Sequence, residues 1–120
     1  MKVNGIAWLG VRTEKLDEMS ELFEDVFGAE LVAERDGFRA YDLQNGDTLE
    51  LFSNEYATHK HFTTGPVAGF LVNDIFEARK EMEARGIEFI EDIAGDPQTS
   101  QWAHFRGPDG NVYELKWNAE

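Results

Sequence analysis

Apolar residues follow two different spacings in the first quarter of the chain, which indicates a strand followed by a helix. Residues 5–11, GIAWLGV, are apolar at nearly every position, which is typical of a strand buried on both faces. Residues 14–27 repeat their apolar positions at helical spacing, and Gly28 suits the left-handed conformation that follows a helix end. The predicted buried stripe of this helix consists of Leu16, Met19, Leu22, Phe23, Val26 and Phe27.

Three short strands are predicted next, separated by turn residues. Residues 30–35 and 38–43 flank Asp36-Gly37, a two-residue hairpin signal, and Asn45-Gly46 turns the chain into a strand over residues 48–53. The first half of the chain therefore reads strand, helix and three strands.

The second half repeats this order. Residues 67–72 form a mostly apolar strand, Asp74 is the predicted N-cap of a helix with Glu77 completing a capping box, and Gly86 ends that helix. Its predicted buried stripe is Ile75, Ala78 and Met82.

The end of the second half is predicted as three strands with a loop among them. Residues 87–90 are read as a strand, residues 94–100 as a polar loop, and residues 101–106 and 111–117 as the two last strands. Between those two, GPDG at residues 107–110 predicts a type I turn with Gly110 in the left-handed position.

The two halves also share residues, which indicates an internal duplication. GDTLELFSN at residues 46–54 and GNVYELKWN at residues 110–118 have Gly, Glu, Leu and Asn at the same four places. The sequence therefore predicts one α+β domain over residues 1–120, made of two βαβββ modules at about 4–54 and 65–118 with a linker at 55–64.

These modules resemble the vicinal oxygen chelate superfamily, which includes glyoxalase I, bleomycin-resistance proteins and extradiol dioxygenases. The likeness lies in the strand-helix-FG order of IAWLGVRTEKLDEMSELFEDVFGAEL and in the closing GPDGNVYEL, and it covers nearly the whole chain. It implies a curled mixed sheet around a cleft, a small-molecule ligand and a homodimer. It implies much less about the reaction, because one fold supports many chemistries.

The resemblance also implies where a metal would be held. Glyoxalase-like members use a His and a Glu from each module, and Glu50 and Glu114 match the two glutamates. Ile6 and Val67 stand where the two histidines would be, so half of the ligand set has no donor atom. No cofactor is predicted, and a divalent metal held by Glu50, Glu114 and His104 is kept as an alternative.

Strand register around the GPDG turn predicts a candidate catalytic pair. A type I turn with a bulge at Gly110 places His104 opposite Glu114 and Trp102 opposite Lys116. His104 and Glu114 then form an acid–base dyad on the cleft face, with Glu50 as a further carboxylate from the first module. The alternative is a cleft histidine that merely pairs with a carboxylate, and a change of one residue in register would remove the dyad.

Alternation along the strands assigns the remaining candidate ligand contacts. Trp8, Phe38, Phe52 and Trp102 have the parity of the cleft face, together with Lys116, whereas Trp117 falls on the helix side. An apolar wall with a few polar groups suits a small-molecule pocket.

His59 and His61, in the linker ATHKHFTTG, are a weaker signal. Two histidines at i and i+2 of an extended segment can face the same way and share a metal. We interpret them as surface residues, because short motifs on polar connections mislead.

Charge and composition limit the partners. The net charge is −13, from 24 acidic and 11 basic residues, which argues against nucleic acid and anionic membrane surfaces as partners. No apolar run is long enough to cross a bilayer, no signal peptide is recognisable and there is no cysteine, so a cytoplasmic location is expected.

Together these observations predict a glyoxalase/bleomycin-resistance-like protein that binds a small molecule in a metal-independent cleft, with possible acid–base chemistry. The alternatives are a metal-dependent lyase, isomerase or dioxygenase with a rearranged ligand set, and a non-catalytic scaffold.

Overall fold

The computed structural model describes all residues from Met1 to Glu120. Contacts divide the chain into two compact units, and each contains the strands of one module. The N-terminal unit is Trp8–Val67, and the C-terminal unit is Ala68–Glu120 together with Met1–Ala7. No helix is long and apolar enough to span a membrane.

The N-terminal unit is a mixed four-stranded sheet with one helix. Its elements are β1 (Gly5–Thr13, from Trp8 onward), α1 (Leu16–Glu21), a π-helical turn (Leu22–Val26), β2 (Glu30–Arg35), β3 (Phe38–Asp42) and β4 (Thr48–Ser53). The strand order is β2-β3-β4-β1, with β1 and β4 parallel and the other neighbours antiparallel. Leu49 and Leu51 pack with Phe23 and Tyr41 in the core, so the intervening Glu50 lies on the opposite face of the sheet, as predicted.

The first helix departs from its prediction at its C-terminal end. The predicted helix over residues 14–27 is an α-helix only to Glu21, after which Phe27 N–H donates to the Leu22 carbonyl, five residues back. This wider turn changes which side chains face the core. The prediction that Val26 and Phe27 are buried is therefore wrong, since they are 72% and 57% exposed.

The C-terminal unit repeats the arrangement. Its elements are β5 (Val67–Leu71, from Ala68 onward), α2 (Ile75–Ala84), β6 (Ala94–Asp96), β7 (Ser100–Arg106) and β8 (Val112–Asn118). The strand order is β5-β8-β7-β6, with β5 and β8 parallel. Asp74 caps α2 by accepting hydrogen bonds from Phe76 N–H and Glu77 N–H, and Ile75 and Ala78 are buried as predicted.

The second strand of this module lies later in the sequence than predicted. The predicted strand at 87–90 makes only an isolated bridge between Phe89 and Phe105. The predicted loop at 94–100 instead contains β6, because the Asp96 side chain accepts from Gln98 N–H and its carbonyl accepts from Thr99 N–H. These two bonds close a hairpin that pairs β6 with the start of β7.

The last hairpin confirms the predicted turn and register. Gly107 N–H donates to the Asn111 carbonyl at 2.9 Å, and Gly110 has a left-handed φ of 85°. The α+β fold of two βαβββ modules is therefore confirmed, including the register on which the candidate dyad depends.

Candidate functional site

The predicted dyad forms within the C-terminal unit. His104 on β7 and Glu114 on β8 are cross-strand partners, and His104 Nε2 lies 2.9 Å from Glu114 Oε1. Gly69 on β5 is the neighbour of Glu114 on its other side. Antiparallel partners share a face of the sheet, so the turn at residues 107–110 holds the imidazole and the carboxyl together.

Both groups of the dyad are removed from solvent. His104 and Glu114 are each 2% exposed, although most of the buried side chains in this chain are apolar. Glu114 Oε1 is paired with His104, whereas Oε2 is buried and has no hydrogen-bond partner. A buried carboxyl oxygen without a partner costs about 1–3 kcal/mol, and an atom of this kind calls for a specific explanation.

Burial shifts both groups toward their uncharged forms. It raises the pKa of Glu114 from 4.5 to about 8, opposed by a smaller effect of the Lys116 ammonium. It lowers the pKa of His104 from 6.5 to about 4, opposed by a smaller effect of the Glu91 carboxylate. At neutral pH the pair therefore has no net charge and holds a proton that can be shared along its hydrogen bond.

The side chains next to the dyad on the same face are those predicted. Trp102 is opposite Lys116, and the Lys116 ammonium lies 5.4 Å from the centre of the Trp102 ring. Both side chains are half-buried. They supply an aromatic surface and a positive charge beside the carboxyl, the combination expected for an anionic or carbonyl-containing ligand.

Glu50 occupies the equivalent strand of the N-terminal unit. It is half-buried on β4, with Gly10 of β1 and Ala40 of β3 as its neighbours. Where Glu114 has a histidine partner on the adjacent antiparallel strand, Glu50 has an alanine. The two modules therefore differ at this position.

The other aromatic candidates form a cluster in the N-terminal unit. Trp8, Phe38 and Phe52 are at most 6% exposed, so in this structure they contact protein rather than solvent. Phe38 and Phe52 pair across β3 and β4, and Trp8 packs edge-on against Phe62. That these rings contact a ligand stays a prediction.

The linker histidines are less exposed than the sequence indicated. His59 and His61 are half-buried, and the segment that carries them is a turn rather than an extended segment. Arg12 holds this segment by donating to the carbonyls of residues 54, 56 and 58. The available signal was the density of aromatic residues around the two histidines, in YATHKHF.

The sequence matches a family model over residues 5–115, which is nearly its full length. The chain belongs to the glyoxalase/bleomycin resistance protein/dioxygenase superfamily. No functionally curated protein matches this sequence.

Solved structures share the fold of this chain at low sequence identity. Methylmalonyl-CoA epimerase from Mycobacterium tuberculosis is 20% identical with a TM-score of 0.72, covering 98% of this chain and 90% of that chain. A hypothetical protein from Bacillus halodurans is 18% identical with a TM-score of 0.74, covering 99% and 97%. A superfamily member from Vibrio splendidus 12B01 is 20% identical with a TM-score of 0.66, covering 92% and 96%. At these identities the likeness shows the fold alone.

The metal ligand set expected for glyoxalase-like members of the superfamily does not fit this chain. Val67 is fully buried and Ile6 is 60% exposed, and neither hydrocarbon side chain can donate to an ion. The orphaned Oε2 of Glu114 could accept a cation, but the two imidazoles of the expected set are missing. The rearranged set of Glu50, Glu114 and His104 stays a prediction.

Proposed function

We propose that this protein binds a small carbonyl-containing molecule and transfers a proton to or from one of its carbon atoms, with Glu114 as the reacting group and His104 as its proton-sharing partner. The observation that carries this proposal is the buried Glu114 Oε2, which has no partner although Oε1 is held by His104. A ligand that approached Oε2 would complete the hydrogen bonding of the pair.

The raised pKa of Glu114 supports this role. A general base works best when its pKa lies near the working pH, and burial brings Glu114 from 4.5 to about 8. The carboxylate would remove a proton from a carbon next to a carbonyl, and the electron pair of the C–H bond would pass to the carbonyl oxygen. Returning a proton to carbon restores the carbonyl.

Inversion at that carbon needs a second proton-transfer group on the opposite side of the substrate. That Glu50 takes part in such a reaction stays a prediction from the sequence. The name of the M. tuberculosis relative, methylmalonyl-CoA epimerase, describes an inversion of this general kind, and its fold supports testing acyl thioesters first.

The experiment is proton exchange at carbon. Methylmalonyl-CoA and a panel of 2-substituted acyl thioesters and 2-oxo acids are incubated with the metal-depleted protein in D₂O, and loss of the C–H signal is followed by ¹H NMR. We expect exchange that falls by about 10²–10⁴-fold in Glu114→Gln, the usual contribution of a positioned acid or base. Glu18→Gln, an exposed glutamate on α1, is the matched control and should keep full activity.

Two outcomes would contradict the proposal. Exchange that survives unchanged in Glu114→Gln would exclude Glu114 as the reacting group. Absence of exchange, combined with absence of any ligand-induced thermal shift across the panel, would favour the non-catalytic scaffold.

We further propose that the protein is a homodimer. Large apolar side chains are exposed at the end of the first helix and on the edge strand β2, which is exposed along its whole length. They are Val26, Phe27, Leu31 and Val32, which are 72%, 57%, 39% and 48% exposed. Exposed apolar side chains grouped in neighbouring elements favour coverage by a partner, and a second copy agrees with the symmetric dimers implied by the family resemblance. Sedimentation equilibrium tests the mass.

A further inference from the structure

Side-chain hydrogen bonds from Arg12 hold the backbone of the linker in the N-terminal unit. Arg12 on β1 donates from Nη1 to the Thr58 carbonyl at 3.2 Å, and from Nη2 to the carbonyls of Tyr56, at 3.2 Å, and Asn54. A single guanidinium thus holds the carbonyls of three alternate residues, 54, 56 and 58. This fixes the backbone leading into His59.

The backbone at His59 has an unusual conformation. His59 is the only residue other than glycine with a positive φ, at 61°. Phe62 N–H donates to the His59 carbonyl at 3.1 Å and Thr63 N–H donates to the His61 carbonyl at 3.0 Å, so the turn is closed by two hydrogen bonds. A non-glycine residue in this region stores strain, and such residues cluster at functional sites.

This turn brings two imidazoles together. The ring centres of His59 and His61 are 6.1 Å apart, and each ring has a nitrogen within 4.8 Å of a nitrogen of the other. Two nitrogens bound to one tetrahedral metal at about 2.0–2.1 Å lie roughly 3.3 Å apart, so a closure of at most about 1.5 Å would suffice.

Aromatic side chains support both rings from the protein side. His59 lies 4.9 Å from the Phe52 ring and stacks on Phe62 at 5.0 Å, with an angle of 29° between the planes. His61 meets Phe62 edge-on at 5.2 Å. The two rings are therefore restricted in rotation yet remain half-buried rather than enclosed, which suits an accessible ligand site.

We propose that His59 and His61 bind a transition-metal ion of the zinc type, in a site that uses neither of the glutamates expected from the family resemblance. Two neutral imidazoles select zinc, cobalt, nickel or copper over magnesium or calcium. Two protein nitrogens leave coordination positions for water or for a ligand. The net charge of −13 also raises the local concentration of divalent cations. The residues are different from those of the proposed proton transfer, so either proposal can fail alone.

The experiment titrates untagged, metal-depleted protein with Zn²⁺ by calorimetry and with Co²⁺ by visible absorption. We expect one ion per chain, with affinity weakened by at least about tenfold in both His59→Asn and His61→Gln. Asparagine tolerates a positive φ, so His59→Asn removes the imidazole without changing the backbone preference. Lys60→Gln lies between the two histidines and is the matched control, which should bind as the wild type does.

Three results would overturn the proposal. The first is wild-type affinity in either histidine variant, and the second is the absence of saturable binding by the folded wild-type protein. The third is loss of binding only in His104→Gln, which alters the remaining histidine of the chain. Far-ultraviolet circular dichroism of each variant checks that it is folded.

Discussion

The dyad makes a specific prediction about stability as a function of pH. Between pH 4.5 and 6.5 an unfolded chain has Glu114 ionised and His104 protonated, whereas the folded chain holds a protonated Glu114 and a neutral His104. Each state then holds one proton on this pair. The pair therefore contributes no pH dependence to the free energy of unfolding in this interval.

Above pH 6.5 the balance changes. The unfolded chain loses the proton of His104, but the folded chain keeps the proton of Glu114 until its pKa of about 8. The folded state then binds one proton more, so stability falls as pH rises, by a factor of ten in the folding equilibrium for each pH unit. From pH 6.5 to 8 this amounts to about 2 kcal/mol, a large part of a typical domain's stability.

Below about pH 4.5 the sign reverses. Both states then have a protonated Glu114, but only the unfolded chain has a charged His104 until the folded pKa of about 4 is reached. Stability from this pair should therefore also fall on the acid side.

The assay is urea unfolding of the wild type and Glu114→Gln at several pH values from 5 to 8.5, followed by tryptophan fluorescence. Glutamine stays neutral, so relative to wild type the variant should gain about 2 kcal/mol as pH rises from 6.5 to 8. Glu18→Gln should follow the wild type. Parallel curves for wild type and Glu114→Gln over this range would refute a raised Glu114 pKa.

Three further predictions concern packing and assembly. Gly10→Ala should destabilise the fold by about 1–3 kcal/mol in urea unfolding, because the new methyl group would lie 2.0 Å from the Trp8 indole. If the variant is as stable as the wild type, the indole ring moves freely enough to make room. Arg12→Met keeps both histidines but removes the guanidinium that holds the linker, so it should speed hydrogen exchange and proteolysis at residues 54–58 and weaken Zn²⁺ binding. Unchanged protection of these residues from exchange would mean that the guanidinium does not hold the segment. Val26→Glu should shift the proposed dimer toward monomer in sedimentation equilibrium, because it places a charge at a side chain that is 72% exposed, and an unchanged mass would place the interface elsewhere.

Local patterns in the sequence determined most of the architecture. The alternation around Glu50, the Asp74 cap and the GPDG turn are set by neighbouring residues, and each is found as predicted. The pairing of His104 with Glu114 followed from the same turn, because turn geometry fixes register and register fixes which side chains share a face.

Two local features that leave no periodic pattern in the sequence were visible only in the structure. The π-helical turn that exposes Val26 depends on a change in backbone hydrogen bonding that residue spacing does not show. The hairpin at Asp96 depends on a local side-chain bond in a segment without alternation. Neither has a periodic signal, so both were misassigned.

The sequence and the tertiary structure also account for different parts of the candidate sites. The sequence named Glu114 and His104, but only the structure shows that one carboxyl oxygen is buried without a partner, because burial depends on all the elements packed around it. His59 and His61 looked like polar residues of a connection. Their approach depends on Arg12, more than 40 residues earlier in the chain, whose hydrogen bonds hold the linker in one conformation.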